Sequence, residues 1–299
     1  NFLVEDGYRF PDVFHLACAA VLGWSPVTRR NLKCKRRSVD AIDRNVEAGR
    51  AKGVELLGDG DFRQVADHCW QCKLCYIKCP YTADEGAREL LDFPRLMARE
   101  KAQRARRDGI PIVDQVLGEP EHIGALSAGR IAPIANFVNA KSLVRRATEA
   151  ATGISQHFPL PPMARESFDD WFARHEPGPE AGERGEVLLF PTCYGDYNFP
   201  EVPRAAVRVL EKNGYRVVVL PALACCGMPN LDGGDVARAK HKILQNVERL
   251  LPEVRRGLRV LVVGPTCGYT MKNEWALYAG VPEAAEVAGA TLDLMEFLD

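Results

Sequence analysis

The pattern of apolar and polar positions is clearest in the second half of the chain. There, short apolar runs alternate with longer stretches whose apolar residues recur every three or four positions. Val187, Leu188, Leu189 and Phe190 form a run of strand length, residues 202–212 carry helical spacing that stops at Asn213 and Gly214, and residues 216–220 form a second short run. Residues 235–251 predict a further helix, residues 260–263 a third strand, and residues 271–279 another helix. Strands joined through helix-length crossovers pair in parallel, so this half predicts an α/β domain with a parallel sheet and right-handed connections. The first half reads differently. Val39, Ile42, Val46, Val54 and Leu57 give a loose helical face with Ser38 as its N-cap, residues 93–107 predict a helix, and residues 108–160 show patchy helical periodicity. Two breaker-rich stretches, 158–162 and 177–185, bracket a short helical segment around Phe168, Trp171 and Phe172.

These patterns give an α+β chain overall. The expected organisation is an N-terminal segment over 1–60, a helical domain with its linker over 61–184, ferredoxin-like by the Cys69, Cys72, Cys75 and Cys79 run that it carries, and an α/β domain over 185–299. At 299 residues with 46% apolar content, the chain is long enough to bury a core in each of two domains. Its net charge of -1 gives no overall electrostatic reason to expect a nucleic-acid partner. No apolar run reaches the ~18–20 residues of a spanning helix.

Cysteine usage changes the picture most. Eight of the ten cysteines fall in two groups, too sparse for a disulfide-stapled fold and too clustered for incidental core thiols. Such grouping points to metal binding in a reducing compartment. The expected setting is the cytoplasm, with peripheral attachment at the inner face of the cell membrane left open; a chain that begins at Asn1 leaves a removed leader open too.

The first group, Cys69, Cys72, Cys75 and Cys79 followed by Pro80, spells C-x2-C-x2-C-x3-C-P, the bacterial ferredoxin run. Two-residue gaps let successive thiolates converge on one 4Fe-4S cluster, whereas zinc sites commonly use two C-x2-C pairs separated by a longer loop. In two-cluster ferredoxins the last cysteine of a run serves the other cluster, and only one run is present here. Either Cys79 closes its own cluster or a remote thiol does. Cys34, among Lys33, Lys35, Arg36 and Arg37, is the cofactor-binding candidate for that place, because cations stabilise a thiolate or an anionic cluster; Cys18 reads as a core thiol and His68 as a hydrogen-bonding neighbour. Trp70, Leu74 and Ile77 are expected to shield the cluster.

The second group is dispersed. Cys193 follows the first predicted strand, Cys225, Cys226 and Gly227 follow the second, and Cys267 follows the third. All four thiols are therefore expected at the carboxyl edge of the parallel sheet, where α/β domains place their ligands, and are the candidates for a second metal centre, 4Fe-4S or zinc. The order Cys193, then Cys225-Cys226-Gly227, then Cys267 resembles the CCG, or cysteine-rich, domain of heterodisulfide reductase B/C-type subunits, the glycerol-3-phosphate dehydrogenase C subunit and the glycolate and lactate oxidase iron-sulfur subunits. Those proteins also place ferredoxin-type runs upstream of such domains. Their pattern closes with C-x-x-C, whereas this chain has Cys267-Gly268-Tyr269-Thr270, which leaves four thiolates, enough for one cubane cluster or one zinc. The resemblance implies two CCG halves, so this chain is expected to carry one half of a two-half unit.

The function expected from these features is that of an iron-sulfur electron-transfer subunit. It would pass electrons from a partner dehydrogenase, flavoprotein or ferredoxin to a quinone, disulfide or protein acceptor, without catalytic residues assignable in its own sequence. Two alternatives stand beside it: a disulfide reductase acting at the CCG metal site, and a structural zinc domain beside a redox-sensing cluster. Arg95, Arg99, Lys101, Arg104, Arg106 and Arg107 read either as a docking face for an acidic partner or as a solvated helix face. Residues 232–235 and 198–201 read as helix starts.

Overall fold

The computed structural model describes residues 59–299 except 78, 85 and 89. Cys18, Cys34, the basic run over 29–37 and the helix expected over 39–57 lie outside the described residues. Contacts divide the described chain into two units, 59–110 with 232–234, and 111–231 with 235–299. The described residues are mostly helical, with one four-stranded parallel sheet in the C-terminal region. Among the described residues no helix is long and apolar enough to cross a membrane.

In the first unit, α1 (Asp59–Asp67), α2 (Leu74–Ile77) and α3 (Phe93–Asp108) surround the dense cysteine run. Helix α3 starts where the Asp92 carboxylate accepts the Arg95 backbone N–H at 3.0 Å, with Pro94 in its first turn, and it ends at Gly109, whose φ of 83° only glycine adopts freely. Its buried residues Phe93, Leu96 and Met97 meet Val65 and Ala66 of α1 together with Leu91 and Cys79.

The second unit begins with short helices: α4 (Ile112–Leu117), α5 (Pro120–Ser127), α6 (Ala132–Asn139), α7 (Ser142–Thr152) and α8 (Phe168–Phe172). The patchy periodicity of this stretch thus resolves into pieces of one to three turns. The sheet then follows: β1 (Gly185–Phe190), α9 (Cys193–Tyr197), α10 (Glu201–Lys212), β2 (Tyr215–Val218), α11 (Met228–Asp232), α12 (Val236–Arg255) and β3 (Val260–Val262). It closes with α13 (Pro265–Asn273), α14 (Trp275–Ala279), α15 (Pro282–Ala290), β4 (Thr291–Asp293) and α16 (Leu294–Leu298). Strand order is β2-β1-β3-β4 and every pairing is parallel, with Gly185 opposite Tyr215, Leu188 opposite Val260 and Val260 opposite Thr291.

Strand alternation assigns the two faces. Leu188 and Phe190 of β1 and Val260 and Val262 of β3 pack with Ile243, Val247 and Leu250 of α12, Met271, Trp275 and Val287. Val187, Leu189, Val217 and Leu261 point the other way, onto Phe168, Ala206, Val207 and Leu210. Both faces of β1 are covered, which is why its sequence is a continuous apolar run and not an alternating one. Each such side chain contributes roughly 1.5–3 kcal/mol when fully buried. The connection from β1 leads toward β2 and that from β3 toward β4, so the strand order reverses between β1 and β3. In open parallel sheets the crevice outside the carboxyl ends at such a reversal is the usual ligand position.

Candidate metal centres

The dispersed thiols stand at that reversal. Cys193 opens α9 directly after β1, and Cys267 lies in the first turn of α13 after β3, so both thiols sit inside helix starts and not ahead of them. Thr192 makes the turn into α9 with a φ of 65°, unusual for a β-branched residue, and its hydroxyl accepts the Gly195 N–H at 3.0 Å. Cys225 and Cys226 lie in the loop after β2 and are both buried. Gly227 turns the chain away with a φ of 89°, and a Cβ there would meet the backbone of Ala239 at 3.4 Å.

The thiols meet as a chain in the order Cys193, Cys225, Cys226, Cys267. Cys193 Sγ is 3.9 Å from Cys225 Sγ, and Cys226 Sγ is 3.4 Å from Cys267 Sγ. Hydrogen bonds from Cys193 and Cys226 hold the Cys225 thiol far below its ordinary pKa against the opposing effect of burial; the Gly227 N–H and the Lys242 charge act in the same direction. Cys193 is pushed up by its hydrogen bond to Cys225 and by burial, and Cys226 is pushed up by its bonds to Cys225 and Cys267 and by burial. Among the described residues no three His, Cys, Asp or Glu side chains already stand as a metal-holding set.

The Cys225-Cys226 backbone is held by side chains from three other segments. Asn246, fully buried on α12, accepts the Ala224 N–H at 2.8 Å and donates to Ala224 O at 3.0 Å and Cys225 O at 3.3 Å. Trp275 Nε1 donates to Cys226 O at 2.9 Å, and Glu121 Oε1 accepts the Cys225 N–H at 3.4 Å. Glu121 is itself fixed by Lys242, a buried lysine of α12 whose Nζ lies 2.7 Å from Glu121 Oε1, 3.0 Å from Glu119 Oε2 and 2.7 Å from Gly118 O. None of these positioning residues is among the candidates read from the sequence. Lys242 and Asn246 do carry a legible signal: four residues apart, they share the buried stripe of α12 with Ile243, Val247 and Leu250.

In the first unit the dense run is partly gathered. Cys69, Cys75 and Cys79 pack on the α1–α3 core, while Cys72 is exposed. Gln71 and Lys73, with φ of 52° and 56°, turn the chain on either side of Cys72. Gln71 Nε2 donates to Pro94 O at 2.9 Å and lies 3.5 Å from Cys69 Sγ. Burial pushes the Cys69 thiol up, opposed by the Gln71 hydrogen bond and the Lys101 charge. Lys101 is buried and donates to Cys69 O at 3.2 Å; Lys73 is buried with its Nζ 3.6 Å from Asp92. His68 bonds Gln64 O through Nδ1 at 2.7 Å, as a neighbour of the run.

Two expectations are corrected here. Trp70, Leu74 and Ile77 do not shield the run: they are 82%, 53% and 66% exposed, Trp70 lying outside any helix and Leu74 and Ile77 on α2, a single turn with no buried residue. The basic character of α3 is also reduced, since Lys101 is buried and Arg104 is paired with Asp67 and Glu100.

Comparison with known families bears on the second unit directly. A model of the cysteine-rich CCG domain matches residues 187–272, the segment that carries all four dispersed thiols. The chain carries a CCG domain. A model of the MazG C-terminal domain matches residues 1–57, outside the described residues. The chain is 28% identical over 161 residues to the C subunit of anaerobic glycerol-3-phosphate dehydrogenase of Escherichia coli (strain K12), covering 54% of this chain and 40% of that protein. It is 32% identical over 125 residues to the B subunit of fumarate reductase (CoM/CoB) of Methanothermobacter marburgensis, covering 40% of this chain and 22% of that protein. With lactate utilization protein A of Geobacillus kaustophilus the identity is 31% over 117 residues, 38% of this chain and 47% of that protein. The chain therefore spans less than half the length of each of these relatives. No solved structure matches it.

Proposed function

We propose that this CCG-domain chain is an iron-sulfur electron-transfer subunit of a multi-component oxidoreductase. Cys69, Cys72, Cys75 and Cys79 would hold one 4Fe-4S cluster, and Cys193, Cys225, Cys226 and Cys267 would hold a second metal centre. A cluster supplies reversible one-electron storage; the chain supplies ligation, burial and hydrogen bonds that tune it. The observation that carries this reading is the pair of thiol groups, one in ferredoxin spacing on a shared apolar core and one at the strand reversal of the CCG domain. Donor chemistry fits in both places, since thiolates are the ligands that soft metals select. Gathering the dispersed thiols on one centre requires side-chain rotation, because they now stand in a chain with no three of them set around one point. The relatives named as parts of a dehydrogenase and a reductase support a place in a larger complex, with a flavoprotein dehydrogenase or ferredoxin as the class of donor.

A second reading for the dispersed site, a closed structural zinc, is favoured by spacing. Tetrahedral ligation at about 2.3 Å puts thiolate sulfurs about 3.8 Å apart, close to the 3.4 and 3.9 Å found here. A cubane places its ligands on separate iron atoms and spreads them wider. Iron, zinc and sulfide analysis with EPR on anaerobically purified protein tests both readings. The dense run should give about four iron and four sulfide per chain, lost with the reduced EPR signal in Cys72→Ser. Cys226→Ala should remove the second centre and leave that signal intact. Full iron content in Cys72→Ser would overturn the cluster assignment, and zinc lost selectively in Cys226→Ala would decide the second site.

A further inference from the structure

The buried stripe of α3 ends in a cation beside the dense cysteine run. Phe93 and Met97 share a core with Cys79 and with the partly buried Cys69 and Cys75, and Lys101 follows them at the same four-residue spacing, also buried. Its Nζ donates to Cys69 O at 3.2 Å and to Asp232 Oδ1 at 2.8 Å, both residues of the first unit. Burying an ammonium costs free energy that a neutral donor to the same carbonyl would not. The ion pair is unevenly placed: the Lys101 side chain is 8% exposed and that of Asp232 45%. Water screens the carboxylate more than the ammonium, so the field left at the run is positive. The other buried lysine beside the run, Lys73, faces Asp92 at 3.6 Å with side chains 8% and 17% exposed, a pair screened nearly alike.

We infer that Lys101 raises the reduction potential of the centre held by Cys69, Cys72, Cys75 and Cys79, and that Asp232 opposes it. This inference rests on the cluster assignment proposed above. A thiolate-ligated iron-sulfur centre is anionic and becomes one unit more negative on taking up an electron, so a fixed positive charge beside it favours the reduced form and a fixed negative charge the oxidised form. Two partners of one ion pair would then act on the potential with opposite signs. A purely structural role predicts otherwise, because loss of either partner breaks the same pair and would disturb the run in the same direction.

Potentiometric titration of the anaerobically purified full chain with dithionite and mediators, following the reduced EPR signal that Cys72→Ser removes, tests this. Lys101→Gln keeps a neutral donor at that position and should move the reduced-to-oxidised ratio about tenfold toward the oxidised form, about 59 mV lower for one electron. Asp232→Asn, at a half-exposed position, should move it about two- to threefold the other way, about 20–30 mV higher. Lys101→Arg keeps the charge and should stay closer to the unmodified chain than Lys101→Gln does. Opposite shifts at full iron content support the inference. Shifts of one sign, or unchanged potentials in both variants with iron retained, would overturn it and leave Lys101 as a support for the Cys69 carbonyl. If Lys101→Gln loses its iron, Asp232→Asn decides alone: a higher potential supports the inference, and a lower or unchanged one overturns it. An unmodified chain that gives no cluster signal would refute the cluster reading itself, and this inference with it.

Discussion

Replacing Asn246 by leucine tests whether the CCG loop is held from outside itself. Leucine has the branched outline of asparagine without its polar atoms, so the change opens no cavity and chiefly isolates the polar loss. The side chain bonds three backbone groups, Ala224 N–H, Ala224 O and Cys225 O, in a fully buried position. Each group left unpaired costs about 1–3 kcal/mol, and partial relaxation of the loop brings the sum to about 3–6 kcal/mol. A domain of ordinary stability holds about 5–15 kcal/mol, so the loss would be large. Urea unfolding followed by circular dichroism should show a much lower midpoint with an unchanged slope, and metal analysis should show the dispersed centre depleted while the dense-run EPR signal persists. Asn246→Asp keeps the acceptor for Ala224 N–H and should lie between the two. A loss below about 1 kcal/mol with the dispersed metal retained would refute the argument, because it would mean that the loop satisfies its own backbone.

Three further outcomes follow from the same environment. Lys242→Met leaves the half-buried Glu119 and Glu121 without their shared cation, Glu119 keeping Arg238 and His122, and should cost about 1–3 kcal/mol at neutral pH, partly recovered on acidification as a carboxylate takes up a proton; equal midpoints at pH 5 and pH 7 would contradict this. Trp275→Phe keeps most of the packing but removes the donor to Cys226 O, for a loss of about 1–2 kcal/mol in the same urea assay. Asp169 has its carboxyl pushed up to about 6 by partial desolvation and by the Asp196 and Asp170 carboxylates, so its proton is held more tightly in the folded chain. The stability it confers is full below the unfolded value of 3.8 and is lost as pH rises through about 6. Asp169→Asn should therefore flatten the rise in melting temperature on acidification across that window; an unchanged slope would place the titration elsewhere.

The sheet was legible because its two central strands, β1 and β3, are covered on both faces. Residues 187–190 and 260–262 have no room for a polar position, so they appear as bare apolar runs, and the helices between them carry wide stripes of the kind seen at Pro203, Ala206, Val207 and Leu210. The fourth strand was not legible. Three residues between α15 and α16 give no period to read, and one of them is Asp293, the N-cap of α16. The helix expected over 271–279 is two, α13 and α14, and α13 begins six residues earlier at Pro265, so Cys267 sits within a helical turn. The dense cysteine run was legible from its spacing, and the dispersed cysteines from their places after three predicted strands. The residues that position the second were not, apart from the polar breaks at Lys242 and Asn246 in an otherwise apolar stripe, because Glu121 and Trp275 reach the loop from segments with no local reason to be near it.

That arrangement has a kinetic side. The bonds that shape the Cys225-Cys226 loop come from partners 104, 49 and about 20 residues away along the chain, so the loop cannot take its form until remote segments have docked. Contacts of such long sequence separation form late, after the loop-closure entropy has been met. During synthesis Cys193, Cys225 and Cys226 emerge well before Cys267 and Trp275, and they remain exposed thiols for that interval. On the proposed assignment, these thiols have to stay reduced, or take up their metal while the chain is still open, before the α14 indole closes over the backbone of Cys226.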